Sequence, residues 1–196
     1  MKGYSAPALA AIAAMLFAGC TTSPAARFYT LSPAQVAEPR PVPGSRQVAI
    51  AIGPVTVPDL VDRPQIVSTI DANRVSIDEF ARWAEPLKSQ IARVLAADLT
   101  QLIPGSIVAV YPQHAKDNAY RISVDVQSFD SPARGVVTLA VIWSVRPPSG
   151  SVVDGRTVVH EAVSEQGYDA LVKAHSRALA SVANEIAAAM RAATAQ

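Results

Sequence analysis

The chain has 196 residues, enough for one domain with a real core and little beyond it. Half of it is apolar (50%), which excludes a disordered tail protein, and a single cysteine excludes a disulfide framework and a Cys-rich zinc site. Its 17 Lys+Arg stand against 16 Asp+Glu, and removal of Lys2 with a leader leaves 16 against 16, so no net field steers the processed chain onto nucleic acid.

Lys2 precedes an apolar run from Ala6 to Ala18. The run is shorter than the roughly 20 residues that cross a bilayer, and it suits the apolar region of a signal peptide. It ends in Leu16-Phe17-Ala18-Gly19-Cys20, and small residues directly before the only cysteine resemble a bacterial lipobox. Phe17 stands where Leu is commonest, with Leu16 one step early. On this reading residues 1–19 are a lipoprotein signal peptide, Cys20 is the lipidation site, and the chain is anchored to a membrane through its acyl chains. Several acyl chains on one residue make a stable anchor, whereas one alone is marginal. An ordinary cleaved signal with a free Cys20 is the plainer alternative. Thr21, in place of Asp, points by resemblance to lipoprotein sorting toward the outer membrane and its periplasmic side.

Residues 20–46 read as a lipidated cysteine and a tether. Phe28-Tyr29-Thr30-Leu31 is a short aromatic patch, and Pro33, Pro39, Pro41 and Pro43 keep the stretch from Ser32 to Arg46 extended. The folded domain, 47–196, is expected to begin near Gln47. Val48 to Ile52 is an apolar strand, closed by Gly53-Pro54. Gln65 to Ile70 and Arg74 to Ile77 flank Asp71-Ala72-Asn73 as a hairpin. Ser76 and Glu79 have capping-box spacing, which suggests a short helical turn ending near Trp83. The main helix has Pro86 in its first turn and the stripe Leu87, Ile91, Val94, Leu95, Leu99 and Leu102, stopped by Pro104-Gly105.

Ile107 to Tyr111 is a strand. Tyr120, Ile122, Val124 and Val126 alternate with polar residues as a half-buried strand, and Val136 to Val145 is apolar enough for a central one. Another strand runs from Thr157 to Val163. A last helix, Tyr168 to Ala193, carries the stripe Tyr168, Leu171, Val172, His175, Leu179, Val182, Ile186 and Met190, with Asp169 and Lys173 as an outward i,i+4 pair. The order implies an α/β fold: a mixed β-sheet packed by two long helices in a single domain.

The search for chemistry finds little. His114, His160 and His175 are not spaced as metal ligands, and His175 lies in a helical apolar stripe where a core histidine is expected. No nucleophile elbow, phosphate loop or zinc-protease motif is present. Asp59 and Asp62 are close in sequence, with no sign of the cleft a carboxylate pair requires. The reading is therefore no catalytic residues, no metal site, no cofactor and no enzyme.

Two segments stand out. Gly53 to Pro58 runs into Asp59-Leu60-Val61-Asp62-Arg63-Pro64-Gln65-Ile66-Val67, where prolines stiffen a loop between two strands. A stiff connection and a contact surface suit it equally, and Asp62 and Arg63 either pair or face a partner. In Arg82-Trp83-Ala84-Glu85-Pro86-Leu87, a core tryptophan anchoring a helix start is the simpler role, with Glu85 favoured by the helix dipole. A surface Trp-Arg pair would instead be a partner hot spot. Candidate partner-binding residues are Pro58, Asp62, Arg63, Pro64, Arg82 and Trp83.

Taken together, Phe28–Leu31, Val48–Pro58, the Asp62–Val67 stretch, Arg82–Leu87 and the final helix with its Tyr168 start resemble the ABC-type transport auxiliary lipoprotein family, the PqiC-like lipoproteins. Val61 departs mildly from the aromatic residue or Leu expected before Asp-Arg. The resemblance implies a non-catalytic docking subunit of an MCE-type (mammalian cell entry) envelope lipid transport system that maintains membrane integrity. It implies no catalytic residues and no cofactor. A homo-oligomer is compatible with such a role. Two other readings are a lipid carrier, which needs an apolar groove against the helix stripes, and an activator of a cell-wall enzyme.

Overall fold

The computed structural model describes residues 24–34, 47–113, 116–132 and 134–194. The signal peptide, Cys20, most of the Pro-rich tether and His114 lie outside them.

Eight strands and two helices follow one another: β1 (Arg27–Tyr29), β2 (Val48–Thr56), β3 (Gln65–Asp71), β4 (Arg74–Trp83), α1 (Leu87–Leu102), β5 (Ser106–Val110), β6 (Tyr120–Asp130), β7 (Val136–Arg146), β8 (Val153–Ala162) and α2 (Tyr168–Thr194). The strands divide between two mixed sheets, ordered β1-β4-β3 and β5-β2-β6-β7-β8. The expected α/β architecture with mixed pairing and two long helices is the one observed. β2 runs parallel to both β5 and β6, while the consecutive β6, β7 and β8 are antiparallel.

Helix α1 covers β2 and β5, α2 covers β7 and β8, and the helices pack on each other. Their stripes are consumed by this packing. Leu87, Ile91, Val94, Leu95 and Leu99 of α1 are buried with Leu171, Val172, Leu179, Val182, Ile186 and Met190 of α2. From the sheet come Ile122, Val124 and Val126 of β6 and Leu139, Val141 and Val145 of β7, on the face that period-2 alternation assigns. Gly155 of β8 sits beneath Trp143: a Cβ there would lie 2.2 Å from the indole ring. Trp143 Nε1 donates to Thr157 Oγ1 at 2.8 Å, which fixes the ring over that glycine.

Three local expectations are revised. The capping-box spacing at Ser76 and Glu79 does not make a helical turn, because those residues lie in β4. Val75 and Ile77 favour a strand, and pairing with β3 supplies the ladder that a helical turn would forgo. Asp78 Oδ1 instead accepts the amides of Phe80 and Ala81 and stabilises an irregular step in β4. Second, the aromatic patch near residue 28 is folded: Arg27–Tyr29 pair in parallel with Ala81–Trp83. Third, Asp169 and Lys173 form no ion pair, and both line a groove beside the N-terminal segment.

Candidate docking site

The three sequence segments singled out above meet in the small sheet. β4 is its central strand. Tyr29 is in register with Trp83 on one side, and Gln65 with Arg82 on the other. Trp83 N donates to Pro64 O at 2.7 Å, and Ala84 N donates to Tyr29 O at 2.9 Å. The backbone at Trp83 and Ala84 therefore stitches the 28–31, 62–67 and 82–87 segments together.

Below this junction the β2–β3 loop and the β4–α1 turn enclose a cavity of about 410 Å³. Asp62, Arg63 and Pro64 line one side, and Trp83 through Lys88 the other. Pro58 O accepts from Val61 N and Asp62 N, at 3.0 and 3.2 Å, which turns the loop toward the cavity. Asp62 pairs with Lys88 (3.1 Å) and not with its neighbour Arg63. Arg63 is exposed at the rim, without an ion-pair partner among the described residues.

Of the six candidate residues, Asp62, Arg63, Pro64 and Trp83 border this cavity, whereas Pro58 and Arg82 do not. Pro58 faces a separate groove with Leu60, Val61 and Phe129. Arg82 lies back along β4: its Nε donates to Glu79 O at 3.0 Å and its guanidinium stands 3.4 Å from the Glu79 carboxylate. The Trp83 side chain is buried, edge-on to Phe129 with ring centroids 6.1 Å apart. Its indole is thus a core anchor that holds the junction, as the simpler of its two readings expected.

A second feature escaped the sequence reading. The segment after β1 is clasped between the helices. Leu31 is buried. Its N–H donates to Gln90 Oε1 at 2.7 Å, and Gln90 Nε2 donates to Glu85 O at 2.9 Å. Ala34 N donates to Asp98 Oδ1 at 2.8 Å, Ser32 N to Ser176 Oγ at 3.1 Å, and Arg93 Nη2 to Thr30 Oγ1 at 3.0 Å. Burial pushes the Asp98 carboxyl above the usual range, against the lowering effect of the Ala34 amide. A signal was available: Gln90 and Asp98 fall within the apolar stripe of α1, where a polar side chain implies a buried partner.

His175 is another buried polar group. It stacks on Phe129 (3.7 Å between centroids) and shares a 2.7 Å hydrogen bond with Ser131. Burial lowers its pKa to about 3, so it is neutral in the folded protein. It is a core histidine as expected, but only half satisfied: Nε2 meets Ser131, while the buried Nδ1 has no hydrogen-bond partner among the described residues. The groove between the N-terminal segment and α2, about 720 Å³, is lined by Lys173, Arg177, Asp169 and Glu161 as well as Phe28 and Val172. Tyr29, Pro33, Ala34 and Ala180 also line it, so the groove is apolar as well as charged. Among the described residues, no group of three or more His, Cys, Asp or Glu is placed to hold a metal ion, and no helix is long and apolar enough to cross a membrane.

At the junction three chain segments converge on a small α/β domain, with its N-terminal segment locked into its own helices. The chain belongs to the ABC-type transport auxiliary lipoprotein component family, which matches residues 29–187. It is 26% identical over 182 residues to proteins of Escherichia coli (strain K12) and Shigella flexneri, each described as Intermembrane transport lipoprotein PqiC. Those alignments cover 91% of this chain and 96% of theirs. Its fold is shared with a crystal structure of an uncharacterized protein (TM-score 0.72, 22% identity, 85% of this chain and 99% of that one). It is also shared with a Xanthomonas campestris protein (TM-score 0.63, 16% identity, 82% and 92%).

Proposed function

We propose that the protein is a non-catalytic docking subunit of an intermembrane lipid transport system. It is held by acylated Cys20 on the periplasmic face of the outer membrane, and it receives an MCE-type transport protein. The observation that carries the reading is the family match over residues 29–187, which reaches all three junction segments. The name of the Escherichia coli and Shigella flexneri relatives supports an intermembrane role. The geometry supports contact: Asp62, Arg63 and Pro64 form a rim held rigidly by prolines, by the Asp62–Lys88 pair and by the Trp83–Pro64 backbone bond. A preformed rim loses little conformational entropy on binding. A neutral chain docks through such local contacts and not through long-range attraction. Assembly of several copies around a partner is part of the proposal.

Recovery of the tagged, full-length protein from gently solubilised membranes, with mass spectrometry of what accompanies it, tests the reading. An MCE-type protein or its transport partners are expected. Recovery of the lipoprotein with a peptidoglycan synthase, or with tightly bound lipid alone, overturns it.

A further inference from the structure

The β3–β4 hairpin projects beyond the core and exposes apolar side chains. Ile70 is 57% exposed, Val75 39%, Ile77 38% and Phe80 39%. Register puts Val75 and Ile77 on one face with Thr69 and Val67. Ile70 lies at the irregularity in the pairing between Thr69 and Asp71, beside the turn. Exposed apolar side chains along a projecting hairpin mark it as a surface that something else covers.

The tether says what covers it. β1 is parallel to β4, with Arg27 opposite Ala81. Cys20 precedes Arg27 by seven residues, and Arg74, the first residue of β4, precedes Ala81 by seven. Seven residues extend at most about 25 Å, and a seven-residue stretch of strand is roughly 23 Å long. A tether drawn straight back from β1 therefore ends level with the hairpin tip. Whatever surface holds Cys20 lies within reach of that tip.

We infer that the β3–β4 hairpin is a second membrane contact, which rests its tip in the headgroup region of the bilayer that carries acylated Cys20. The inference rests on the lipid-anchor reading above. The tip suits that depth. Asp71 and Arg74 form a 2.6 Å ion pair that leaves it without net charge. β1 meets only Ala81–Trp83, so among the described residues the β4 edge from Arg74 to Asp78 has no ladder partner on that side. Unpaired backbone is tolerated among hydrated headgroups but not in hydrocarbon, which limits the hairpin to the outermost ~5–10 Å where interfacial segments lie. A second copy pairing along this edge is disfavoured beyond Asp78, whose carboxylate already takes the amides of Phe80 and Ala81. Acyl chains alone would let the domain tumble on its leash. Hairpin and anchor together fix which face turns toward the periplasm.

The test uses the mature lipoprotein in phosphatidylethanolamine–phosphatidylglycerol vesicles. Cys20 is the only cysteine and its thiol is consumed by the acyl linkage, so Ser76→Cys or Asn73→Cys provides a single labelling site for an environment-sensitive fluorophore. Glu185→Cys on the solvent side of α2 is the control. At 73 and 76 the emission is expected to shift to shorter wavelength, to be quenched by spin-labelled lipid and to lose iodide quenching, with no change at 185. A water-like signal at 73 and 76 in protein that floats with the vesicles overturns the hairpin contact alone. So does protection that arises only when solubilised transport proteins are added, which assigns the hairpin to a protein partner. An unacylated Cys20 in the mass of the N-terminal peptide overturns the anchor reading and this inference with it.

Discussion

The backbone amide of Leu31 is held by the side chain of Gln90, 59 residues away, at 2.7 Å and out of contact with water. That bond makes the start of the tether part of the domain. A pull on the N-terminal segment is therefore passed to α1 and to the 82–87 junction.

Removal of the clasp should therefore loosen a local segment before it unfolds the protein. Gln90→Ala leaves the Leu31 N–H and the Glu85 carbonyl without their partner, at a cost of about 1–3 kcal/mol. Hydrogen exchange should rise first at Leu31 and Ala34. Exchange that rises uniformly through β6 and β7 would show the clasp to be no separate unit.

Trp83 and Arg63 should separate stability from docking. Trp83→Ala opens a cavity against Phe129 and should cost about 3–5 kcal/mol, so its loss of partner recovery carries no information about contact. Arg63→Ala, at an exposed rim, should leave the urea midpoint within error of the parent and reduce recovery of the transport partner. Full recovery with Arg63→Ala would remove the rim from the interface.

His175 sets an acid limit. Its folded pKa is depressed by burial, to about 3 from 6.5. Below pH 6.5 the unfolded chain takes up a proton that the folded one refuses, so stability falls as pH drops toward 3. The slope approaches 1.4 kcal/mol per unit. Asp98 acts in the opposite sense, since its raised pKa means that protonation favours the folded state. Urea unfolding at pH 7.5 and 5.0 should show a loss of about 2 kcal/mol that is absent in His175→Gln. An equal loss in both would assign the acid sensitivity elsewhere.

Gly155 should accept no side chain. Gly155→Val drives a methyl-bearing carbon into Trp143 and breaks the indole bond to Thr157. An overpacking cost of at least about 1–3 kcal/mol is expected, read as a lowered Tm together with a changed tryptophan emission spectrum.

Much of the fold was legible because its signals are local. The α1 and α2 stripes, the stop at Pro104-Gly105, the alternation from Tyr120 to Val126 and the hairpin around Asp71-Ala72-Asn73 depend on residues a turn or a strand apart, and helix and strand periodicity expose them. The family resemblance was legible for a similar reason, through short contiguous segments, and the match over residues 29–187 bears it out. What remained hidden depends on distant partners. Ser76 and Glu79 satisfied a helical pattern, yet the partner strand β3 outweighed it. Phe28 to Ala34 looked like tether because its strand partner lies 54 residues downstream and its hydrogen-bond acceptors 59 and 64. Trp83 could be surface or core by sequence, and only Phe129 packed against it decided the matter. By itself, then, the sequence determined most of the elements, the near-neutral charge and the family, all carried by composition and short-range pattern. The tertiary structure alone decided that three separated segments meet at Trp83 and that the N-terminal segment is clasped by Gln90 and Asp98. A backbone amide and a buried carboxylate have no preferred partner until packing removes water and brings one within hydrogen-bonding distance.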